Sequence, residues 1–299
     1  MIQELASLNS LKELEINAKP GAFGAWVPED LLGFRNLQSL TLIMPARSVV
    51  ELLPAWCREN KDTLESLVII CKSLALETCS PRFNMGLFAS DCEAQKRLRF
   101  LTSISLTVPT SGGADQRRKW FESIILLLKH SPLESFQLYA GGGTDEFISY
   151  EGVDHEAIKE LIDLHASTLR RIGIQRLIVP LESMAYACEK CSQLEEIFAT
   201  LCGVGRDALA QALVAGKRLR NVHLTLMTDV AGEMRPLHLL TAQEICQHIA
   251  RNCGDSLQLI GSQTRVWQVT RSFSAGQTVR TLGPYSGQQI PEQFLMMRA

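Results

Sequence analysis

The sequence predicts an α/β solenoid, in which a curved parallel sheet lines the inside and helices cover the outside. Three observations support this prediction. A short apolar pattern recurs along the chain, helix-like segments separate its copies, and the apolar period changes between the two kinds of segment. Repeats of 20 to 50 residues built this way are typical of solenoids. The clearest copy of the pattern lies within residues 192–199.

The pattern is L-x-x-L-x-L, with apolar residues at offsets 0, 3 and 5. The second and third apolar residues are two apart, so on a strand they share one face, and the residues beside them share the other. Eight copies are complete, and a ninth keeps Ile260 but has Ser262 at its last apolar position. The copies begin at Leu11, Leu37, Leu64, Leu101, Leu133, Leu169, Leu194, Leu219 and Leu257. This spacing predicts a leucine-rich repeat solenoid.

Apolar residues return at helical intervals between the copies. The predicted helices cover residues 49–60, 115–130, 154–165, 181–191, 206–217 and 241–253. Each helix should connect two parallel strands by a right-handed crossover. The longer intervals between copies predict loops at residues 78–93, 141–152 and 229–237.

The carboxyl-terminal end departs from the repeat. Residues 265–271 and 277–282 alternate apolar and polar side chains, and Ser274-Ala-Gly276 separates them. This arrangement predicts a β-hairpin. A hairpin with polar outer residues would cover the last apolar face of the solenoid. We therefore expect a leucine-rich repeat domain of about nine irregular repeats over residues 1–262, and a hairpin cap with an extended tail over residues 263–299.

The composition bounds the class of protein. Of the 299 residues, 46% are hydrophobic and 21% are charged, and the formal net charge of −2 gives no general attraction to nucleic acid or anionic lipid. The longest aliphatic run, at residues 124–128, is far shorter than the roughly 20 residues of a membrane span. The amino terminus lacks the features of a signal peptide. We expect an intracellular protein, cytoplasmic or nuclear, that binds neither nucleic acid nor membranes.

The residues that could carry chemistry are scattered. The nine cysteines include one CxxC pair, Cys188 and Cys191, without a second pair at zinc-binding spacing. An odd number of cysteines fits a reducing compartment with free thiols. The six histidines form no H-E-x-x-H motif, and no G-x-S-x-G motif occurs. We expect no catalytic residues, no metal site, no cofactor and no enzymatic activity.

The strand residues between the core positions are the candidates for binding. The early strands place Ser and Thr there, whereas later strands place larger and charged side chains. Aromatic residues and Arg are enriched at binding hot spots. We therefore expect a protein partner on the concave face. The candidate partner-binding residues are Tyr139, Arg171, Glu196, Phe198 and His223.

Two groups of segments carry a resemblance to a known family. Leu164-His-Ala-Ser-Thr-Leu169-Arg-Arg-Ile and Cys188-Glu-Lys-Cys191-Ser-Gln-Leu194-Glu-Glu-Ile resemble the repeats of fungal F-box-like leucine-rich repeat proteins. Val266-Trp-Gln-Val, Leu282-Gly-Pro-Tyr and Ile290-Pro-Glu-Gln-Phe-Leu295 are similar to the tail of such proteins. The resemblance implies ribonuclease-inhibitor-like repeats. It also implies the substrate-recognition part of an SCF-type cullin–RING ubiquitin ligase receptor.

One part of the family pattern is not expected in this chain. The first repeat begins at Leu11, which leaves no room before it for the helical F-box. A Skp-type cullin adaptor is therefore an expected partner only if an F-box exists outside this chain. Two alternatives remain open. One is a stand-alone leucine-rich repeat scaffold, and the other is a GTPase-activating repeat protein that would use an exposed Arg, such as Arg206 or Arg235.

Overall fold

The structure is a computed structural model that describes residues 11–17, 33–43, 47–71, 83–108, 114–140, 152–274 and 277–287. The chain divides into two compact units, Met1–Ile148 and Ser149–Ala299. Both units are mixed α/β, with sheets whose strands are mostly parallel. The predicted α/β fold class is confirmed at this level. The predicted extended tail beyond residue 287 and the predicted loop at 141–151 lie outside the described residues.

The described part of the first unit has five parallel strands that pair in chain order. They are β1 (Glu13–Asn17), β2 (Ser39–Ile43), β3 (Ser66–Ile70), β4 (Ser103–Val108) and β5 (Ser135–Ala140). The helices described in this unit are α1 (Arg47–Glu51), α2 (Leu53–Glu59), α3 (Met85–Ala94) and α4 (Ala114–Leu128). Every strand starts two residues after the first leucine of a predicted copy.

Two predictions for the first unit are corrected. The single helix predicted over 49–60 is two helices, because Pro54 at the start of α2 has no N–H to continue the hydrogen bonding of α1. The loop predicted over 78–93 is wrong from Met85 onward, where α3 forms. Asn84 begins this helix by accepting a hydrogen bond from the Leu87 N–H at 2.9 Å. Leu87 itself is 72% exposed, so the helix lacks a clean apolar period.

The second unit continues the alternation and ends in antiparallel strands. Its strands are β6 (Arg171–Ile178), β7 (Glu196–Cys202), β8 (Asn221–Val230), β9 (Glu233–Pro236), β10 (Leu259–Ser262), β11 (Arg265–Ser274) and β12 (Gln277–Pro284). The helices described here are α5 (His155–His165), α6 (Leu181–Lys190), α7 (Arg206–Val214) and α8 (Leu239–Asn252). Strands β6, β7, β8 and β10 are parallel neighbours, and β9 pairs antiparallel with β8. The predicted helices of this unit are confirmed to within three residues at each end.

A tight hairpin replaces the loop predicted over residues 229–237. Val230 pairs with Glu233, so the connection between β8 and β9 contains only two residues. Ala231 and Gly232 have φ values of 56° and 87°, as a type I′ turn requires. Asp229 supports the turn by accepting a hydrogen bond from the Gly232 N–H at 2.8 Å. The prediction failed because Ala-Gly is a weak turn signal compared with Asn-Gly or Asp-Gly.

The leucines of the repeated pattern form the core. From the second copy onward, the first leucine of each copy is at most 2% exposed, as at Leu64 and Leu219. In the degraded ninth copy, Ser262 stands at the third apolar position and is fully buried. Its hydroxyl donates a hydrogen bond to the Leu224 carbonyl at 2.8 Å. A hydrogen bond therefore satisfies the one polar residue that stands at a core position of the pattern.

One backbone motif recurs at the start of the parallel strands. The Arg170 carbonyl accepts hydrogen bonds from both Glu195 and Glu196, and the Glu195 carbonyl accepts from Arg220 and Asn221. In the first unit, the Gln38 carbonyl accepts from Glu65 and Ser66 in the same way. This shared acceptor sets the register of each strand against the next, and so aligns equivalent residues in rows across the sheet.

The predicted hairpin of β11 and β12 is present and packs on α8. The strands pair antiparallel from Trp267 to Ser274. The Gln247 side chain of α8 donates to the Arg280 carbonyl at 3.2 Å and accepts from the Leu282 N–H at 3.0 Å. One amide side chain thus pairs with two backbone groups of β12, and fixes the hairpin on the helix.

Candidate functional site

The residues between the core positions form rows across the sheets. In the first unit, one row contains Ser39, Ser66, Ser103 and Ser135. In the second unit, one row contains Arg171, Glu196 and Asn221, and the next contains Gly173, Phe198, His223 and Gly261. Each row joins residues that are far apart in sequence but one strand apart in space, so its side chains can interact.

Glu196 is the centre of the polar row in the second unit. Its Oε2 atom lies 2.5 Å from Arg171 Nε, and its Oε1 atom accepts a hydrogen bond from Asn221 Nδ2 at 2.8 Å. The side chain of Glu196 is 14% exposed and that of Arg171 is 33% exposed. An ion pair to β6 and a hydrogen bond to β8 therefore connect Glu196 to both neighbouring strands at a partly exposed position.

A second charged row lies one residue earlier, where the strands start. Glu195 Oε1 accepts a hydrogen bond from Arg170 Nη1 at 3.1 Å, and its Oε2 atom lies 3.6 Å from Arg220 Nη1. One carboxylate therefore bridges two guanidinium groups from different strands. Beside this row, Arg218 donates a hydrogen bond to the Gln193 side chain.

Two of the predicted site residues are not on the surface. The expectation that Phe198 and His223 project into solvent is wrong, because they are 2% and 1% exposed. Their rings stack, with centroids 6.4 Å apart and an angle of 17° between planes. Alternation along a strand predicts which face a side chain is on, but not how deeply the rest of the fold buries that face.

His223 also packs over a glycine. A Cβ atom at Gly261 would lie 2.3 Å from Cδ2 of the imidazole and 3.0 Å from Nε2. Burial lowers the pKa of His223 from 6.5 to about 4, although a hydrogen bond with the Gln263 backbone partly opposes this shift. The imidazole is therefore neutral near pH 7.

Tyr139 belongs to the first unit and is half-buried on β5. Its hydroxyl donates to Gln137 Oε1 at 2.6 Å, and Gln137 Nε2 donates to Ser135 Oγ at 3.5 Å. The three side chains thus form a hydrogen-bonded line along one strand. In the neighbouring strand, Thr107 Oγ1 accepts from the Cys71 N–H at 2.9 Å.

We expect Gly261→Ala to lower the free energy of unfolding by about 1–3 kcal/mol, because the new methyl group overlaps the imidazole. In a His223→Ala background, the same change should cost less than about 1 kcal/mol, since the imidazole atoms are gone and the Arg265 carbonyl oxygen, 3.1 Å from the new Cβ, is the remaining close atom. Urea denaturation of the four proteins of this cycle measures the coupling. Gly254→Ala is the control, because its Cβ would meet nothing closer than 3.7 Å. Equal costs in both backgrounds would contradict the packing of His223 over Gly261.

A small apolar cavity lies in the core of the second unit. It has a volume of about 20 Å³ and is lined by residues of α5, α6, β6 and β7, among them Ile158, Met184 and Ala199. Ala199 stands at the third apolar position of its copy, where every other complete copy has Leu or Ile. The missing side-chain atoms at this position account for the cavity.

Filling this cavity should stabilise the protein. We expect Ala199→Val to raise the free energy of unfolding by about 0.5–1 kcal/mol, because two methyl groups become buried. Ala250→Val is the matched control: this alanine is fully buried but does not line the cavity, so the change should be destabilising. The midpoints of urea denaturation report both effects, and a loss of stability in Ala199→Val would argue against an empty space at this site.

A serine and a histidine meet beside the same cavity. His155 Nδ1 lies 2.8 Å from Ser183 Oγ, although the local spacing around His155 predicts no such pair. Ser183 is 1% exposed, so a substrate cannot reach its hydroxyl in this structure. The contact joins the start of α5 to the first turn of α6, and we interpret it as structural.

The cysteines in the described ranges show no arrangement typical of a metal or redox site. The eight described cysteines are all free, and only Cys202 is not fully buried. Burial raises the pKa of Cys188 and of Cys191 to about 12, which keeps both thiols protonated. Within the described ranges, no group of three or more His, Cys, Asp or Glu residues could hold a metal ion.

The two arginines considered for GTPase activation lie near acidic residues. Arg206 Nε is 3.6 Å from Asp207 Oδ1 at the start of α7, and Arg235 Nη2 is 2.5 Å from Glu233 Oε2 in β9. Their side chains are 65% and 62% exposed. Neither belongs to the rows described above.

Together these features define a protein with an α/β repeat-like fold and rows of side chains in register across each sheet. No protein-family model matches the sequence, and a search of curated proteins finds no match. Among the helices in the described ranges, none is both long enough and apolar enough to cross a membrane.

Proposed function

We propose that this chain is a leucine-rich repeat scaffold that binds a partner protein through the exposed rows of its strands. The observation that carries the proposal is the pair of charged rows in the second unit, centred on Glu195 and Glu196. Ion pairs hold these side chains in defined positions on a sheet. Binding would therefore cost less side-chain entropy there than on a flexible loop.

We base the assignment to the leucine-rich repeat class on the residues at the core positions. The leucines and isoleucines of the pattern are buried at equivalent positions, and the strands that carry them are parallel neighbours. We further propose that the hairpin of β11 and β12 caps the repeats. Its attachment to α8 through Gln247 supports this role, because a solenoid needs its terminal apolar face covered.

The proposed partner-binding surface excludes two of the residues that the sequence predicts for it. In the second unit it comprises Arg171 and Glu196 together with the row of Glu195, whereas Phe198 and His223 support the sheet from a buried position. In the first unit, half-buried Tyr139 is the aromatic residue that we assign to partner binding.

We also propose a role in ubiquitination, on the basis of the resemblance to fungal F-box-like proteins alone. In this role the repeats select the substrate of an SCF-type ligase, and an F-box outside this chain recruits the Skp-type adaptor. The alternative is a stand-alone scaffold that binds its partner without a ligase.

Affinity capture from fungal lysate tests the binding surface. The bait is the full chain, compared with the double variant Arg171→Ala/Glu196→Ala. The matched control is Arg118→Ala/Glu122→Ala, which removes an exposed ion pair of 3.3 Å on α4. We expect some proteins to be captured by the wild type and by the control, but not by the Arg171→Ala/Glu196→Ala variant.

Thermal melting must first show that all three baits are folded. If the three baits retain the same proteins, the proposed surface is wrong. Co-purification of a Skp-type adaptor with a version that includes the upstream coding sequence would support the ligase role. If a partner protein is captured but no Skp-type adaptor co-purifies, the result would support the stand-alone scaffold.

A further inference from the structure

We propose that Cys202, Met227 and Met234 form a binding site for the monovalent copper ion, Cu(I). The cysteines of the described ranges form no metal site among themselves or with histidines and acids. Methionine supplies a further soft ligand through its thioether sulfur, and thiolate and thioether ligands together favour Cu(I). We call these three residues the sulfur cluster. It is separate from the rows that we assign to partner binding.

Two of the three sulfur atoms are already in contact. Cys202 Sγ lies 3.6 Å from Met234 Sδ, and the thiol donates a hydrogen bond to the thioether. Taking the zinc–sulfur distance of about 2.3 Å for each ligand, two sulfur ligands of one ion are about 3.8 Å apart at a tetrahedral angle and about 4.0 Å apart at a trigonal angle. The observed separation is close to both values. An ion can therefore bind both sulfur atoms with little movement of the backbone.

The sheet places the three side chains on one face. Cys202 is paired with Met227 in the parallel register of β7 and β8. Asp229, two residues after Met227, is paired with Met234 in the antiparallel register of β8 and β9. Residues two apart on a strand share a face of the sheet, and so do residues paired across two strands. Cys202 and Met234 therefore flank Met227 from the two neighbouring strands.

The sulfur cluster combines a buried ligand with two accessible ones. Met227 is 2% exposed, whereas the side chains of Cys202 and Met234 are partly exposed. Among the cysteines that the structure describes, Cys202 alone is not fully buried. An ion can therefore reach the thiol from solvent, and the buried thioether of Met227 would lie beneath it as the third ligand.

The tertiary structure assembles this site from separate strands. Cys202 and Met234 are 32 residues apart in sequence, so no local spacing of ligands reports the site. Met234 comes beside the other two residues because the tight turn at Ala231 and Gly232 folds β9 back along β8. The sequence-based expectation of no metal site considered neither this turn nor methionine as a ligand.

Binding exchanges a proton for the metal ion. The Cys202 thiol releases its proton to water, its sulfur forms a bond to Cu(I), and neither sulfur nor copper changes its oxidation state. The single negative charge of the thiolate balances the single positive charge of Cu(I), and the two thioethers add ligands without adding charge. A divalent ion would keep one positive charge unbalanced, and Zn(II) prefers nitrogen, oxygen and thiolate ligands to thioethers.

Transfer of Cu(I) from its bicinchoninate complex to the full chain tests the inference under anaerobic conditions. The complex is coloured, so the loss of absorbance measures the copper that the protein takes up. All proteins in the experiment carry Cys79→Ser, because Cys79 lies outside the described residues and its thiol could compete. We expect Cys202→Ser to weaken binding at least about 100-fold and Met234→Leu at least about tenfold, since loss of a direct ligand costs no less than loss of an outer partner.

The matched controls are Cys246→Ser and Met184→Leu. They replace a buried cysteine of α8 and a buried methionine of α6, outside the strands that carry the sulfur cluster. We expect both controls to take up copper like the parent protein, and thermal melting must show that every variant is folded. Met234→Leu keeps the test decisive if Cys202→Ser does not fold, because it is a conservative change at a partly exposed position.

Two further measurements identify the ligands and the ion. X-ray absorption at the copper edge should show sulfur ligands alone. Zn(II) should bind at least about tenfold more weakly than Cu(I). Copper uptake that is unchanged in Cys202→Ser and Met234→Leu, or lost equally in the controls, would overturn the inference. Nitrogen or oxygen ligands on the copper, or equal affinity for Zn(II), would do so as well.

Discussion

Replacing His223 with Gln will remove about 3 kcal/mol from the pH dependence of folding stability between pH 7 and pH 4. Burial in the folded protein lowers the pKa of this histidine from 6.5 to about 4. Below pH 6.5 the unfolded chain therefore binds a proton that the folded protein rejects. Stability from this group is fully present above pH 6.5 and is lost as the pH falls toward 4. A difference of about 2.5 pKa units corresponds to about 3 kcal/mol.

Urea denaturation of the wild type and the variant at a series of pH values measures this effect. The difference between the two unfolding free energies should change with pH below 6.5 and be constant above it. The carboxylates titrate in both proteins and cancel in the difference. A parallel profile for His223→Gln would show that His223 takes up protons freely in the folded protein.

Replacing Asn60 with Ala will destabilise the first unit by about 2–4 kcal/mol. Asn60 is 2% exposed, and its side chain accepts a hydrogen bond from the Leu37 N–H at 2.8 Å. It also donates to the carbonyls of Phe34 and Trp56, at 3.2 Å and 3.0 Å. The substitution leaves the Leu37 N–H and the Phe34 carbonyl without these partners, whereas the Trp56 carbonyl keeps its hydrogen bond from the residue-60 N–H at 2.9 Å. Each buried group left unpaired costs about 1–3 kcal/mol, with partial relief from relaxation.

A second substitution at the same position tests the same hydrogen bonds. Asn60→Asp should be more destabilising than Asn60→Ala, because it buries a carboxylate against two carbonyl oxygens. Asn252→Ala is the control, since the Asn252 side chain bonds the His248 carbonyl at an exposed position and its loss should cost at most about 0.5 kcal/mol. Circular dichroism during urea denaturation reports the order. A cost for Asn60→Ala no larger than that of the control would show that water replaces the lost side-chain hydrogen bonds.

The sequence predicts the regular parts of the fold well because they depend on local periodicity. The position of each parallel strand follows from the L-x-x-L-x-L pattern, since burial of the leucines requires one face of each strand to point inward. The amphipathic helices, such as α5, follow from the same kind of signal at a period of 3.6. Helix α3 was missed although Met85, Phe88, Ala89 and Cys92 share one buried face, because the exposed Leu87 lies off that face and weakens the apolar period.

The candidate site was predictable only in part. The alternation of residues correctly places Arg171, Glu196, Phe198 and His223 in rows beside the core positions. It does not show that Phe198 and His223 are buried, because burial depends on what the rest of the fold places over them. No signal in the sequence singled out Gly261, whose lack of a side chain makes room for the imidazole.

The sequence by itself determined the recurring apolar pattern, the alternation of strands and helices apart from α3 and β9, and the leucines that form the core, because these depend on residues close together in the chain. Only the tertiary structure decided the pairing of Glu195 with Arg170 and Arg220, of His155 with Ser183, and of Gln247 with β12. These partners are 25 to 35 residues apart. Contacts between such distant residues form only after strands and helices have packed, so no local period in the sequence reports them.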